Sequence, residues 1–555
     1  MKSLKPMLFT SLKGYTRQQL IRDVLSGIIV AIIALPLSIA LALASGVGPE
    51  EGLYTAIAAG FIISLLGGSP VQIAGPTAAF ATIVAGVVAK SGTDGLMLAT
   101  LMAGTILLLM AVLRLGSLIR FIPYTITTGF TAGIAVTILI GQLKDFCGIT
   151  YAAGVSPVET VEKVEAFASH IGTINPWAIL VGAVSLAALI LWPKIPGVLG
   201  KIPPSLIAVL TGVLAVTLFD LPVNTIGDLY SVRSGLPALR LPAWDLSLMG
   251  EVLPDAFTIA VLAAIESLLS CVVADGMIGT KHRSNAELLA QGAGNIASAL
   301  FGGIPATGAI ARTAANIKSG GRTPVAGMVH AGVLALILVV LMPYASYIPM
   351  PTIAAILFVV AYNMCQWRPF VELVKHAPAA DVLVLVVTFV LTIVFDLVVA
   401  IAVGLVLACL FFMKRMSDET VVRAWTHVEE TVKADASGET AVMHPIPDGV
   451  QVYEISGPIF FGAAGAIGEI PVEDGVRCIV LRMQAVPAID ATGMNALQAL
   501  LTRCEASGTA LILSHVNAQP QKAMEKAGFA DRIGRENFSS HIGDALARAQ
   551  SEAQR

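Results

Sequence analysis

The chain has 555 residues, of which 56% are hydrophobic and 13% charged, with a formal net charge of −3 and a mean hydropathy of +0.82. That composition excludes an ordinary soluble protein and describes an integral membrane protein. The near-neutral charge, with no basic patch interleaved with aromatics, excludes nucleic-acid binding. The cysteines Cys147, Cys271, Cys365, Cys409, Cys478 and Cys504 stand singly, without CxxC spacing or a histidine at ligand distance, and read as core thiols.

Residues 1–23, "MKSLKPMLFTSLKGYTRQQLIRD", are basic but too long and polar before the first apolar run to be a cleavable signal, so the first helix is expected to be retained as a span. A hydrocarbon core about 30 Å thick requires about 20 apolar residues in a helix, and on that measure about fourteen segments qualify. They lie near 24–46, 50–66, 71–90, 95–113, 124–142, 174–192, 203–220, 254–276, 286–301, 305–318, 323–342, 348–364, 379–395 and 397–413. With the N-terminus inside, the inside loops carry Arg114 and Arg120, Lys194 and Lys201, Lys281 and Arg283, Lys318 and Arg322, Arg368 and Lys375, then Lys414 and Arg415. The longest outside loop, 143–173, holds Asp145, Glu159, Glu162 and Glu165 beside Lys144 and Lys163. Basic inside loops are the expected bias, and an even number of spans with both termini cytoplasmic follows.

The transmembrane domain is thus expected over 24–414, as a first repeat at about 24–220 and a second at about 254–413. Behind the basic stop lies a polar linker, 415–445. From 446 to 555, short apolar runs ("VQVYEIS", "CIVLRM", "ALILSHV") alternate with helical stretches ("MNALQALLTRCEAS", "AQPQKAMEKAG"). Such alternation predicts a small cytoplasmic α/β domain.

Two interruptions recur at matching places in the two hydrophobic blocks: "GGSPVQIAGPTAA" at 67–79 and "GGIPATGAIARTAA" at 302–315. Matched short, Gly/Pro-broken segments are the sequence mark of an inverted-repeat transporter, with the binding site at the breaks. Seven spans per half make the second half enter the membrane in the opposite sense. Gly and Pro near Pro70 and Pro305 free the chain from continuous helix, so a short helix is expected to start near the midplane in each half. Two facing helix starts, each worth roughly half a positive charge, suit a small anion.

Polar residues beside the breaks refine the site. Gln72 and Thr77 fall at the start of the first short helix, with Thr77 open to either capping or ligand contact. Thr307, Arg312 and Thr313 fall on the second. A guanidinium within a span marks a pathway or an ion pair, and Glu266, mid-span in "TIAVLAAIESLLSCVVADGM", reads as a proton relay or cation ligand. Ser270 lies one turn further along the same face. Asp275 and Asp396 sit near span ends and read as interfacial caps.

The segments "ALPLSIALALASGVGPEEGLYTA", "GGSPVQIAGPTAA", "IESLLSCVVADGMIGTKHRSNAELLAQGAGNIASALFGG" and "ARTAANIKSGGRTPVAG", followed by "SGPIFFGAA" and "IDATGMNAL", together resemble the SulP (sulfate permease) family of anion transporters with a C-terminal STAS domain. The resemblance runs over nearly the whole chain. It implies an all-α membrane domain of 14 spans in a 7+7 inverted repeat. Spans 1–4 and 8–11 form a core domain moving against a gate domain of spans 5–7 and 12–14, in a homodimer at the cytoplasmic membrane. It further implies an anion between the third and tenth spans, touched by Thr77 and by the backbone at Gly308 and Ala309, with Glu266 as coupling residue and Ser270 as its hydroxyl neighbour.

The chain also departs from relatives. Sulfate-type members carry Pro-Gln-x-x-x-Tyr in the first span, where this chain reads "PLSIALA" with Leu37 and Leu41 at the polar positions, nearer the bicarbonate branch. Sodium-coupled members place a hydroxyl where Ile310 stands. Ala491 occupies the position of the regulatory phosphoserine in the STAS loop "IDATG", which leaves assembly or a cytoplasmic partner as that domain's role. No H-E-x-x-H, G-x-S-x-G or Walker A pattern occurs, so neither an enzyme nor a nucleotide-driven pump is indicated, and no cofactor or metal is called for. The reading is a multi-pass, secondary active carrier of a small inorganic or carboxylate anion (bicarbonate, sulfate or a C4-dicarboxylate), coupled to protons and bathed in membrane lipid. A sodium-coupled bicarbonate symporter and an anion channel or exchanger on the same scaffold are the alternatives.

Overall fold

The computed structural model describes all residues except 1–3, 118–122, 153–154, 156, 198–201, 233, 243–244, 396, 426, 435–437 and 555. Arg120, Lys201 and Asp396, assigned above to loops and a span end, lie outside the described residues. The chain divides into two units, Met1–Leu405 and Val406–Arg555.

The membrane unit opens with a one-turn helix, α1 (Leu8–Ser11), and then α2 (Arg17–Ala44), started by Thr16, whose side chain accepts from Gln19 N. Next comes α3 (Pro49–Leu66), with Pro at its first position and Glu50 and Glu51 in its first turn, where acidic groups complement the helix dipole. The chain then runs extended, forming the short strand β1 (Ala74–Gly75), before α4 (Ala78–Val112). At Gly92, with φ 68° and ψ −171°, α4 is interrupted, so the third and fourth predicted spans meet at this glycine. The chain continues through α5 (Tyr124–Cys147), α6 (Thr160–Ser169), α7 (Pro176–Leu191), α8 (Pro204–Phe219) and α9 (Ile226–Leu229). Of these, α6 lies within the stretch 143–173 and carries the Glu159/Glu162 capping box.

Next comes α10 (Leu246–Ile278), which starts earlier than the expected 254 because Asp245 caps it through Ser247 N and Leu248 N. It is followed by α11 (Ser284–Leu300), the strand β2 (Thr307–Gly308) and α12 (Ile310–Lys318). Then come α13 (Val325–Ala345), α14 (Met350–Cys365), the surface helix α15 (Trp367–His376), α16 (Ala379–Val394) and α17 (Leu397–Asp418). Among the described residues eight helices are long and apolar enough to cross a membrane, and α8 and α16 are shorter apolar helices. One expectation is corrected. The short helices begin at Ala78 and Ile310, not near Pro70 and Pro305, because the residues between are spent on pairing the two breaks with each other.

The second unit contains a five-stranded sheet of order β3-β6-β7-β8-β9. The unit's strands begin with β3 (Val421–Trp425), then β4 (His427–Ala434) and β5 (Gly438–Pro445), which pair with each other as a separate hairpin, and β6 (Val450–Ser456). There follow α18 (Ala464–Gly468), β7 (Cys478–Ala485), α19 (Ala491–Ala506) and β8 (Ala510–Ser514). The unit closes with α20 (Ala518–Lys526), α21 (Phe529–Ile533), β9 (Phe538–Ser539) and α22 (Ile542–Ala553). The stretch 415–445, read as linker, therefore carries three strands, of which β3 forms an antiparallel edge on β6. The strands β6 to β9 are parallel. Ile479 and Leu481 of β7 pack with Leu497 and Leu500 of α19 on one face, while Val480 and Ile512 pack with Ile542 and Leu546 of α22 on the other. A strand covered on both faces reads as a continuous apolar run, as β7 does.

Asp490 starts α19 by accepting from Gly493 N at 2.8 Å and ties down the Phe461 amide at 3.0 Å. Asp490→Ala is expected to cost about 1 kcal/mol of local stability. Faster amide hydrogen exchange across α19, with exchange in the membrane helices unchanged, is the measurement that checks it.

Candidate anion-binding site

The two breaks cross as a miniature antiparallel sheet, Ala74 opposite Gly308 and Gly75 opposite Thr307. Ala309 N donates to Ile73 O at 2.9 Å and extends the pair. Immediately beyond it, α4 starts behind Thr77 and α12 behind Ala309, and neither residue caps its helix with a side chain. The first amides of both helices therefore converge on one place without intrahelical partners. Glycine is required at the crossing, because a Cβ on Gly308 would run into the Gln72 amide. One on Gly75 would meet Arg312 Nη1 at 2.5 Å.

Backbone pulled out of helix inside a membrane must find its partners within the protein, and side chains from three helices supply them, while α10 lends a backbone carbonyl. From α11, Glu287 accepts from Gly68 N at 3.0 Å, and Gln291 donates to Glu287 at 2.9 Å. Asn295 on the same face brackets Ala306, accepting from its N at 2.8 Å and donating to its O at 2.9 Å. From α3, Thr55 Oγ1 accepts from Ile304 N at 2.7 Å, while Ser298 of α11 donates to Ile304 O at 2.6 Å. From α12, Asn316 donates to Val71 O at 2.9 Å, Thr313 accepts from Ile73 N at 3.1 Å, and Arg312 Nη2 donates to Pro76 O. From α10, Ala263 O accepts from Thr307 Oγ1 at 3.0 Å.

Against this frame the expected site residues separate into two groups. Thr77, Glu266 and Ala309 are partly exposed, and Ile310, 40% exposed, stands beside them. The Thr77 hydroxyl, free to cap or to bind, instead donates to Glu266 Oε2 at 3.0 Å. Gln72, Gly308, Arg312 and Ser270 are buried behind that face. Gln72 spends both ends of its amide on α10, donating to Ser267 O at 3.2 Å and accepting from Ser270 Oγ at 2.9 Å. Ser270 is thus partnered with Gln72 and Thr313, not with Glu266. The Ala309 amide is taken by Ile73, so the amides left to an anion at that end are those of Ile310 and Ala311. Arg312, 3% exposed, has no carboxylate partner, and its Nη1 has no hydrogen-bond partner among the described residues. Its charge therefore stands uncompensated behind the crossing.

Glu287, Gln291, Asn295 and Asn316 were not singled out from the sequence. Their signal was present in the first three, which recur at i, i+4 and i+8 through "ELLAQGAGN", a polar stripe that an intramembrane helix carries only when it faces polar partners. His330, fully buried on α13 with neither ring nitrogen hydrogen-bonded among the described residues, gave no signal at all.

A many-helix membrane unit whose two interrupted segments cross beneath converging helix starts has the architecture of a solute transporter. The sulfate permease family profile matches residues 20–388 and the STAS domain profile residues 441–545, and the chain belongs to the sulfate permease family of anion transporters, with a C-terminal STAS domain. It is 39% identical over 95% of its length to the putative sulfate transporter YvdB of Bacillus subtilis, 98% of which is covered. It is 31% identical over 91% of its length to the bicarbonate transporter BicA of Synechocystis, 90% of which is covered. The fold matches the structure of murine Slc26a9 with a TM-score of 0.86 at 19% identity, over 98% of this chain and 94% of that one.

Removing the Asn295 bracket orphans two buried backbone groups. Asn295→Leu is expected to cost roughly 2–6 kcal/mol, at about 1–3 kcal/mol per unmet group. Asn295→Asp, which keeps only the acceptor, is expected to fall between this variant and wild type in thermal unfolding of the detergent-purified protein.

Proposed function

We propose that this chain is a secondary active carrier of a small oxyanion, binding it between the starts of α4 and α12 and moving it by alternating access. The observation that carries the reading is the convergence of two uncapped helix starts on one crossing, with the unpaired Arg312 charge buried behind it. Helix starts and a fixed guanidinium in a weakly polar setting attract an anion far more strongly than they would in water. The Thr77 hydroxyl and the open amides of α4 and α12 supply donors, and Gly308 keeps the crossing tight enough for them to face one another. Two relatives bear the names of a sulfate and a bicarbonate transporter, which supports an oxyanion. The apolar Leu37 and Leu41 of the first span favour bicarbonate over sulfate, with a C4-dicarboxylate as the third substrate compared. The carrier sits as a homodimer in a bacterial cytoplasmic membrane with both termini inside, and its STAS domain serves assembly or a cytoplasmic partner.

Glu266 couples this movement to protons. Its carboxylate lies beside Thr77 at the site, so a negative charge there opposes the arriving anion, and taking up a proton removes that opposition. Occupancy by proton and by anion are then linked reciprocally. Sodium would need several oxygen ligands around the same carboxylate, and Ile310 presents an apolar side chain there.

Uptake into liposomes, comparing bicarbonate, sulfate and C4-dicarboxylates under imposed proton or sodium gradients, tests this directly. A sodium requirement with no response to pH would overturn proton coupling. Glu266→Gln, a mimic of the protonated state, is expected to flatten the pH dependence while retaining anion exchange. Ala309→Asp places a negative charge at the converging helix starts and is expected to abolish uptake at normal expression and folding; undiminished uptake would remove the site from this place.

A further inference from the structure

Between α14 and α16 runs a helix that the transport reading does not use. Gln366, with φ 45° and ψ 46°, ends α14, a left-handed stop that divides the 27 helical residues of Met350–His376 in two. The second piece, α15, has ten residues and is about 15 Å long at 1.5 Å per residue, too short to cross a hydrocarbon core about 30 Å thick. Its neighbours on both sides, α14 and α16, are apolar helices of 16 residues each. A short helix tied at both ends to such elements is held at the membrane surface.

In α15, Trp367, Phe370, Val371 and Val374 recur at i, i+3, i+4 and i+7 and make one apolar stripe. No residue of the helix is buried, and Trp367, Val371 and Val374 are 46%, 37% and 42% exposed. Phe370 packs on Phe389 of α16, ring centroids 5.1 Å apart, and Val386 and Val390 beside Phe389 are exposed too, so the stripe runs on into an open apolar flank of α16. Arg368 and Lys375, seven residues apart, share a second stripe along the border of the first. The Arg368 guanidinium lies over the Trp367 ring, 5.5 Å from its centroid, and Trp367 Nε1 donates to the hydroxyl of the exposed Tyr362 at 3.2 Å. Tryptophan and tyrosine beside basic residues are the composition of a membrane interface. We propose that α15 lies in the lipid–water interface and is a docking surface for anionic phospholipid. Trp367, Val371 and Val374 enter the boundary between headgroups and acyl chains, while Arg368 and Lys375 meet the headgroup phosphates. Glu372 sits between the two cations on the polar side and offsets part of their charge, so apolar burial supplies the anchoring and the cations supply the preference for an anionic headgroup.

The test places a fluorescent thiol label on the full-length protein in liposomes and quenches it with lipids that carry a nitroxide on the upper acyl chain. The background lacks the accessible thiols Cys147, Cys365 and Cys409. A label at Val371→Cys, on the apolar stripe, is expected to be quenched about threefold more than one at His376→Cys on the opposite side of the helix. Nitroxide-bearing phosphatidylglycerol is expected to quench the Val371→Cys label about fivefold more effectively than the same mole fraction of nitroxide-bearing phosphatidylcholine, the scale of one cation at an anionic surface. Arg368→Gln with Lys375→Gln is expected to abolish that preference, leaving quenching by phosphatidylcholine and the thermal unfolding midpoint unchanged, because both cations are exposed. Equal quenching at the two label positions would overturn the interfacial placement. Cross-linking of Val371→Cys between two copies of the chain, without quenching by lipid, would overturn it in favour of a protein partner. Equal quenching of the Val371→Cys label by the two lipids would overturn the preference for an anionic headgroup.

Discussion

Everything in the membrane unit that bears on transport depends on the pairing of the two breaks. A chain that leaves helical geometry within a bilayer exposes amides and carbonyls that no water can serve, at several kcal/mol for each unmet group. Here the two interruptions satisfy each other at Ala74–Gly308 and Gly75–Thr307, and flanking side chains satisfy what remains. Once that crossing exists, two helices must start from it side by side, and the positive ends of both dipoles point to one spot. The proposed anion site is thus a consequence of how the backbone is satisfied.

The same constraint explains why the polar residues near the site are divided as they are. Gln72, Thr313, Asn316, Glu287 and Asn295 are buried because they bond break backbone or α10. Thr77 and Glu266 are left at the accessible face, joined to each other. Arg312 belongs to both groups: one nitrogen holds Pro76 O, yet no carboxylate balances its charge. In the proposed function, selectivity for an anion rests on fixed dipoles and a fixed charge, and coupling on a single carboxylate beside them. Every residue named at that site belongs to the unit Met1–Leu405.

The spans, their charged loops and the two breaks were legible in the sequence because Gly-Gly-x-Pro is conspicuous in long apolar runs and because Lys and Arg gather on one side. The strand pairing was not legible, since two residues of strand per break are too few to show alternation. That is why the helix starts were placed too early and why Gln72 was put on a helix. Spacing along one helix face puts Ser270 a turn from Glu266, but it does not show that Gln72, from a segment far away in the chain, takes the Ser270 hydroxyl. The strands β3, β4 and β5 were hidden by polar composition, being an edge and a hairpin with little apolar alternation.

The most direct test of the central claim is protection of a cysteine placed at the start of α12. In a background lacking the more accessible native thiols Cys147, Cys365 and Cys409, Ile310→Cys should react with a small charged thiol reagent, since Ile310 is 40% exposed. The account predicts that the transported anion slows this labelling, half-maximally at its transport KM, while an anion that is not carried has no effect. Labelling that proceeds equally with and without the carried anion would contradict a binding site at the converging starts of α4 and α12.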